Sequence, residues 1–279
     1  FMASVLDADI NDLQFLMSIS YAAIVVTLLI NVRFLHYFSV RSYIIFMISC
    51  SVFILILLML VKSYVLIIPL RVLEGIFALL EGVIFMPIII SLIKSKHART
   101  ISYFILYTLI LSAGPVTAWV IKLATKNFGW NEVFYVIAFF HLIVLAISLF
   151  LFNGNRFFAK KPLYQLDLIS CFYLLISLLS GAFFVIYGFR LNWFQSPYIW
   201  YSLFLFLIAG GIFIYRQIIL KRKLFDFNIF KYQGVRVSFL LFAVFYIIRY
   251  GFVNIYTTMA QVWKWPWEYV VNFQFINVI

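Results

Sequence analysis

Long, unbroken apolar runs separated by short polar gaps set the pattern of this chain. The runs are Asp12–Val32, Tyr43–Val61, Tyr64–Ile93, Ile101–Ala124, Val133–Phe152, Leu166–Gly188, Tyr198–Leu220 and Val235–Ala260, followed by a shorter stretch, Tyr269–Ile279. Each full run matches the ~20 residues that an α-helix needs to cross a bilayer. Strands of a membrane barrel alternate apolar and polar positions over short segments. These runs do not alternate, so they predict helices: an all-α, polytopic membrane bundle with eight full spans and a partial ninth. The short gaps fit consecutive helices that lie side by side.

Composition agrees with that pattern. Hydrophobic residues make up 66% of the 279, charged residues 11%, and the mean hydropathy is +1.11. A soluble domain is nearer half apolar and a quarter charged, so the surplus faces lipid. The net charge of +12 sits mostly in the gaps and not on one patch, which argues against a nucleic-acid partner. One alternating set of gaps holds Arg33, Arg41, Lys94, Lys96, Arg99, Arg156, Lys160, Lys161, Arg216, Lys221, Arg222, Lys223, Lys231 and Arg236. The other holds Lys62, Lys122, Lys126, Arg190 and Lys264. The first set is therefore expected on the cytoplasmic side. That leaves Asp7, Asp9 and Asp12 outside, in a cell (inner or plasma) membrane. Trp130, Trp193, Trp200, Trp263, Trp265 and Trp267 fall near the outer span ends, where an aromatic belt forms. The chain opens on Phe1, lacks a signal-peptide pattern and ends in a run too short to cross. A longer protein, with one earlier span, is expected.

Ionised groups inside a span are expensive and call for a use or a partner. Arg71, Glu74 and Glu81 all lie in the third run. Glu74 and Glu81 are a heptad apart, on nearly one helix face and about 10 Å apart along the axis, and Arg71 reaches Glu74 at i, i+3. Gly75 and Gly82 follow the two glutamates and permit close packing or bending. Two carboxylates near one arginine make a candidate site for a proton or a coupling cation. Arg249 lies deep in the eighth run near Asn254, with charge to balance Glu81 or to bind an anionic substrate group. Gly114–Pro115 marks a bend in the fourth run.

Other polar residues read more simply. Asp167 opens the sixth run as a helix cap, and His36, His97 and His141 read as packed or hydrogen-bonded. Cys50 and Cys171, each inside an apolar run, read as packing residues. No metal-ligand spacing, nucleophile triad or Gly-rich phosphate loop is present.

The order of these features resembles the major facilitator superfamily. Arg71-Val-Leu-Glu74-Gly75 resembles the fourth-helix signature, with Glu74 where the family usually has Gln. Ser112-Ala-Gly114-Pro115, with Trp119 after it, resembles the fifth-helix antiporter signature, with Val116-Thr-Ala118 in place of paired glycines. Trp130-Asn-Glu-Val-Phe134 is similar to the motif opening the sixth helix in the fourteen-helix drug:proton antiporter branch. Asp167, Trp193 and Gln261 fit that branch too. The loop from Asn31 to Arg41 keeps only the family's basic character, so the resemblance is to a divergent member.

It implies that residues 1–152 form family helices two to six, that 153–233 carry two inserted helices with cytoplasmic loops, and that 234–279 begin the C-terminal half. It also implies proton-coupled efflux of small organic or drug-like compounds by alternating access. Arg71, Glu74, Glu81 and Arg249 would line the site, with Asn254 and Gln261 as further cavity residues. A proton gradient would supply the driving force without a bound cofactor. Expected partners are substrate, protons, membrane lipids and accessory export proteins. Two other classes compete: a transporter-derived receptor or scaffold without transport, and a membrane-embedded transferase. The second needs catalytic polar residues near one interface, yet the largest gap holds Asp226 as its acid among basic and aromatic residues.

Overall fold

A computed structural model of the chain describes residues 9–61, 63–127, 132–152, 154–156, 158–220 and 222–276, with backbone alone at 10, 132, 165, 249–254, 257 and 261. Every regular element among them is helical: α1 (Ile10–Tyr37), α2 (Val40–Leu60), α3 (Tyr64–Val83), α4 (Phe85–Leu92), α5 (Ala98–Asn127), α6 (Glu132–Leu151), α7 (Leu168–Gly188), α8 (Pro197–Ile219), α9 (Gln233–Gln261) and α10 (Trp267–Ile276), with short 3-10 turns in three of the gaps. Helices keep their backbone hydrogen bonds within one segment, which is what lipid demands. Polar residues set their starts. Ser39 caps α2 by accepting from the Ser42 N–H, Asp167 caps α7 by accepting from the Ser170 N–H, and Pro197 opens α8.

Seven stretches among the described residues are long and apolar enough to cross a membrane: Asn11–Tyr37, Val40–Leu60, Tyr64–Leu92, Ala98–Asn127, Val133–Leu151, Leu168–Gly188 and Pro197–Ile219. The chain is a multi-pass, helical membrane protein. In α9 an apolar stretch covers Gln233–Ile248, and the side chains of Arg249, Asn254 and Gln261 lie outside the described residues. Lys62, Trp130 and Lys221 also lie outside them.

The third run differs from its sequence reading in one respect. It is two helices, not one, because α3 stops at Val83 and α4 starts at Phe85. Pro87 explains the break: it has no N–H for the Val83 carbonyl, and its ring crowds that oxygen. The Ile84 N–H turns to the Gly82 oxygen. The Leu80 carbonyl, which Ile84 would engage in an unbroken helix, accepts instead from the Tyr43 hydroxyl at 2.6 Å. Buried Tyr43 belongs to α2, so a neighbouring helix satisfies the carbonyl that the break releases. By contrast, α5 runs on through Gly114 and Pro115 as one helix.

Contacts gather the chain into two compact units. The first holds the residues up to Leu92 together with Phe134–Phe225, and the second holds Ile93–Val133 with the residues from Asp226 onward. In the first unit α1 is central. It packs along α3 on one side and along α7 on another, α2 packs on α3, and α7 pairs closely with α8. Gly75 lets α3 approach α1, since a Cβ there would stand 2.3 Å from the Ser20 carbonyl oxygen and 2.9 Å from the Ala23 Cβ. One buried cluster joins Tyr43, Ile44, Met47 and Ile48 of α2 to Leu80, Ile84 and Ile88. Another joins Leu16 and Ile19 of α1 to Ile54, Leu58 and Ile67. Cys171 of α7 is buried with Val26 and Ile30, as its sequence position implied. Between helices already in lipid, such contacts stabilise by close packing and hydrogen bonds more than by apolar burial.

The ends of the first unit form two rims. At one, the Tyr187 hydroxyl donates to Asp12 at 2.5 Å, the Tyr64 hydroxyl lies 3.5 Å from that of Tyr187, and Arg190 pairs with Asp9 at 3.3 Å and Asp12 at 3.6 Å. Trp193 and Trp200 ring this end with Phe184 and Phe194. At the other, His36 Nδ1 meets the Ala159 carbonyl oxygen at 3.0 Å, and the Val40 N–H donates to the Asn155 carbonyl at 3.0 Å. Arg216 there pairs with Asp167 at 2.8 Å. Alternate gaps thus meet at alternate ends, as consecutive crossings require.

In the second unit α5 packs on α10. Lys122 donates to the Asn272 side chain at 2.7 Å, and Trp119 stacks on Phe275 with ring centres 5.3 Å apart.

Candidate functional site

The charged side chains of α3 form two separate pairs. Arg71 donates to Glu74 Oε2 at 2.7 Å, the i, i+3 pair that their spacing predicts. The Ser20 hydroxyl of α1 lies 3.3 Å from the same oxygen and 3.2 Å from the Arg71 carbonyl oxygen. With one hydrogen it donates to one of these at a time. Ser20 is brought there by the close approach at Gly75, so the glycine and the ion pair are parts of one contact between α1 and α3. Sequence reading did not single out Ser20, because an isolated serine in an apolar run carries no signal.

Glu81 faces α6 instead. Its Oε2 lies 3.6 Å from His141 Nε2. The other ring nitrogen, Nδ1, lies 2.9 Å from the Ile137 carbonyl oxygen. A carbonyl only accepts, so Nδ1 carries a hydrogen and fixes the ring by bonding within α6. His141 is hydrogen-bonded, as its sequence reading held, and it also supplies a partner for Glu81 that the sequence did not reveal. The available signal was depth. At about 1.5 Å per helical residue, Glu81 lies about 16 Å from the Leu92 end of its span and His141 about 15 Å from the Leu151 end of its own. Those ends share a rim, so the two side chains lie at about equal depth, and the packing of α6 makes them neighbours.

Neither pair is sealed. The side chains of Arg71 and Glu74 keep 19% and 28% of their exposure, and those of Glu81 and His141 keep 17% and 26%. The two glycines differ: Gly75 is packed against α1, whereas a Cβ at Gly82 meets no atom within 4 Å. Within its own unit Gly114 is equally open, so it marks no tight helix contact there. Pro115 lies inside the unbroken α5. Arg249, Asn254 and Gln261 belong to α9, in the second unit.

Asp167 and Arg216 form a third pair, at the rim. The Ser170 hydroxyl and its N–H both donate to Asp167, and Arg216 bonds Ser170 as well as Asp167. Burial pushes the Asp167 carboxyl up, but the bonds from Ser170 and the Arg216 guanidinium outweigh it and hold the group below its ordinary value. This pair ties the start of α7 to the end of α8 and is structural. Among the described residues no three His, Cys, Asp or Glu side chains come together as a metal site. What the interior offers is acid–base pairs at two depths of one spanning helix, the deeper one beside a break in its backbone. No family model matches the chain, and no curated protein matches it.

Proposed function

We propose that this chain is part of a secondary active transporter that moves small organic or drug-like compounds out of the cell in exchange for protons, by alternating access. One observation carries the reading: a spanning helix bears two acid–base pairs and is interrupted at membrane depth beside the deeper one. Charges and irregular backbone at that depth go with polar routes and substrate sites. The likeness of Arg71–Gly75 and Ser112–Pro115 to signatures of the major facilitator superfamily supports the same reading, and the drug:proton antiporter branch is its specific form. In this mechanism a proton reaching Glu74 or Glu81 removes the charge that holds its partner. The loosened pair then favours one of two states of the bundle. The cell membrane, with the acidic rim outside, is the location that the distribution of basic residues supports.

The test is transport by purified protein in liposomes, with ethidium as the probe and an imposed pH gradient as the only driving force. Wild-type protein is expected to move ethidium against its gradient while dissipating the pH difference. The Glu74→Gln, Glu81→Gln double variant is expected to lose at least tenfold in gradient-driven rate. Absence of gradient-driven movement by the wild type overturns the reading. Undiminished movement by the double variant removes both glutamates from the mechanism.

A further inference from the structure

We infer that Glu81 and His141 bind one exchangeable proton between them at mid-membrane depth, making His141 the second half of the proton site. This rests on the transport reading for its purpose but not for its chemistry. Nδ1 of His141 is committed as a donor to the Ile137 carbonyl, so only Nε2, facing Glu81 Oε2 at 3.6 Å, is free to gain or lose a proton. With no proton between the carboxylate and Nε2 the pair carries one negative charge. With two it carries one positive charge. With one it is neutral overall, either as carboxylate and imidazolium or as carboxylic acid and imidazole.

Among the described residues, the nearby polar and charged groups are engaged elsewhere. Tyr43 of α2 directs its hydroxyl to the Leu80 carbonyl, and Arg71 on the same helix as Glu81 is paired with Glu74, itself bonded by Ser20 of α1. The residues that pack around Leu80 and Ile84 from α2 and α6 are otherwise apolar: Ile44, Met47, Ile48, Val144 and Leu145.

The break at Ile84 gives the site mechanical leverage. The last turn of α3, which carries Glu81, is held to α2 by the Tyr43 bond and to α6 by His141. Moving the proton off the pair weakens the second tie while leaving the first. The ligand is a proton, and the exchange moves it between Glu81 Oε2 and His141 Nε2 or to water with no other bond broken.

Coupled titration is the test. Because the chain has three histidines, ring signals of isotope-labelled histidine can be assigned in solution NMR of the detergent-solubilised chain by substituting each in turn. Infrared difference spectra follow the carboxyl of Glu81, identified by its loss in Glu81→Gln. Glu81→Gln, close to isosteric, is expected to move the His141 midpoint, and His141→Gln to move the Glu81 midpoint by the same amount. Equality follows from linkage between two groups that share a proton. Glu74→Gln is expected to leave both midpoints in place. Independent titration of the two groups, with either midpoint unmoved by loss of the other partner, overturns the inference. Reciprocal shifts in a protein that fails to move ethidium support the shared proton and overturn the transport reading alone.

Discussion

At Gly75 and Gly82 the same small change has opposite consequences. Alanine at position 82 adds a methyl where nothing lies within 4 Å and gains helix propensity over glycine, worth up to about 1 kcal/mol. Alanine at position 75 places its Cβ 2.3 Å from the carbonyl oxygen of Ser20, a backbone atom inside α1 that cannot swing aside. Helix α1 has to move away, which carries Ser20 off Glu74 and loosens the packing around Ile19. Overpacking of this kind costs about 1–3 kcal/mol. Thermal unfolding in detergent is expected to show Gly75→Ala less stable than wild type and Gly82→Ala equal or more stable. A matched pair that behaves alike contradicts the close approach of α1 and α3. The sequence marked both glycines as packing or bending positions, but nothing in one helix's sequence says which of its faces meets a neighbour.

Among the elements, the tie between α7 and α8 has a defined pH signature. Asp167 is held below its ordinary value of 3.8 in the folded chain. A lowered acid stabilises the fold above its unfolded value, and that contribution disappears as pH falls through the folded value. Asp167→Asn keeps a side chain able to cap α7 but removes the charge facing Arg216. It is expected to cost about 1–2 kcal/mol near neutral pH. The gap to wild type should stay constant down to about pH 4 and close below it, as read from unfolding midpoints across acid pH. A gap that widens in acid contradicts the pairing.

Asp167 was legible as a cap because one acid at the start of an apolar run has one simple use. Most spans were legible for the same kind of reason, since run length alone defines them. The break after Val83 was not read, although Pro87 signalled it, because apolar residues continue on both sides and hydropathy is blind to a missing N–H. The pairing of Glu81 with His141 depends on two runs separated by a third, and only their packing reveals it.

On the scale of the whole molecule, alternate gaps of the first unit meet at two rims, and their charge gives the expected direction of the bundle in the membrane. One rim gathers Asp9, Asp12, Arg190, Trp193 and Trp200. The other gathers His36, Lys160, Asp167 and Arg216, with Lys160 over the Tyr37 ring. Basic gaps stay cytoplasmic during insertion, so the second rim is expected inside the cell. Arg156 and Gln195 are both exposed and are separated by one crossing, α7, so a cysteine at each reports that crossing and its direction together. The native cysteines leave the background low, since Cys171 is buried and Cys50 is half-buried, and both lie within spans. In intact cells, a membrane-impermeant maleimide is expected to label Gln195→Cys, and to label Arg156→Cys only after permeabilisation. Labelling of both from one side means that α7 does not cross. The opposite order inverts the bundle and contradicts the orientation expected from the basic gaps.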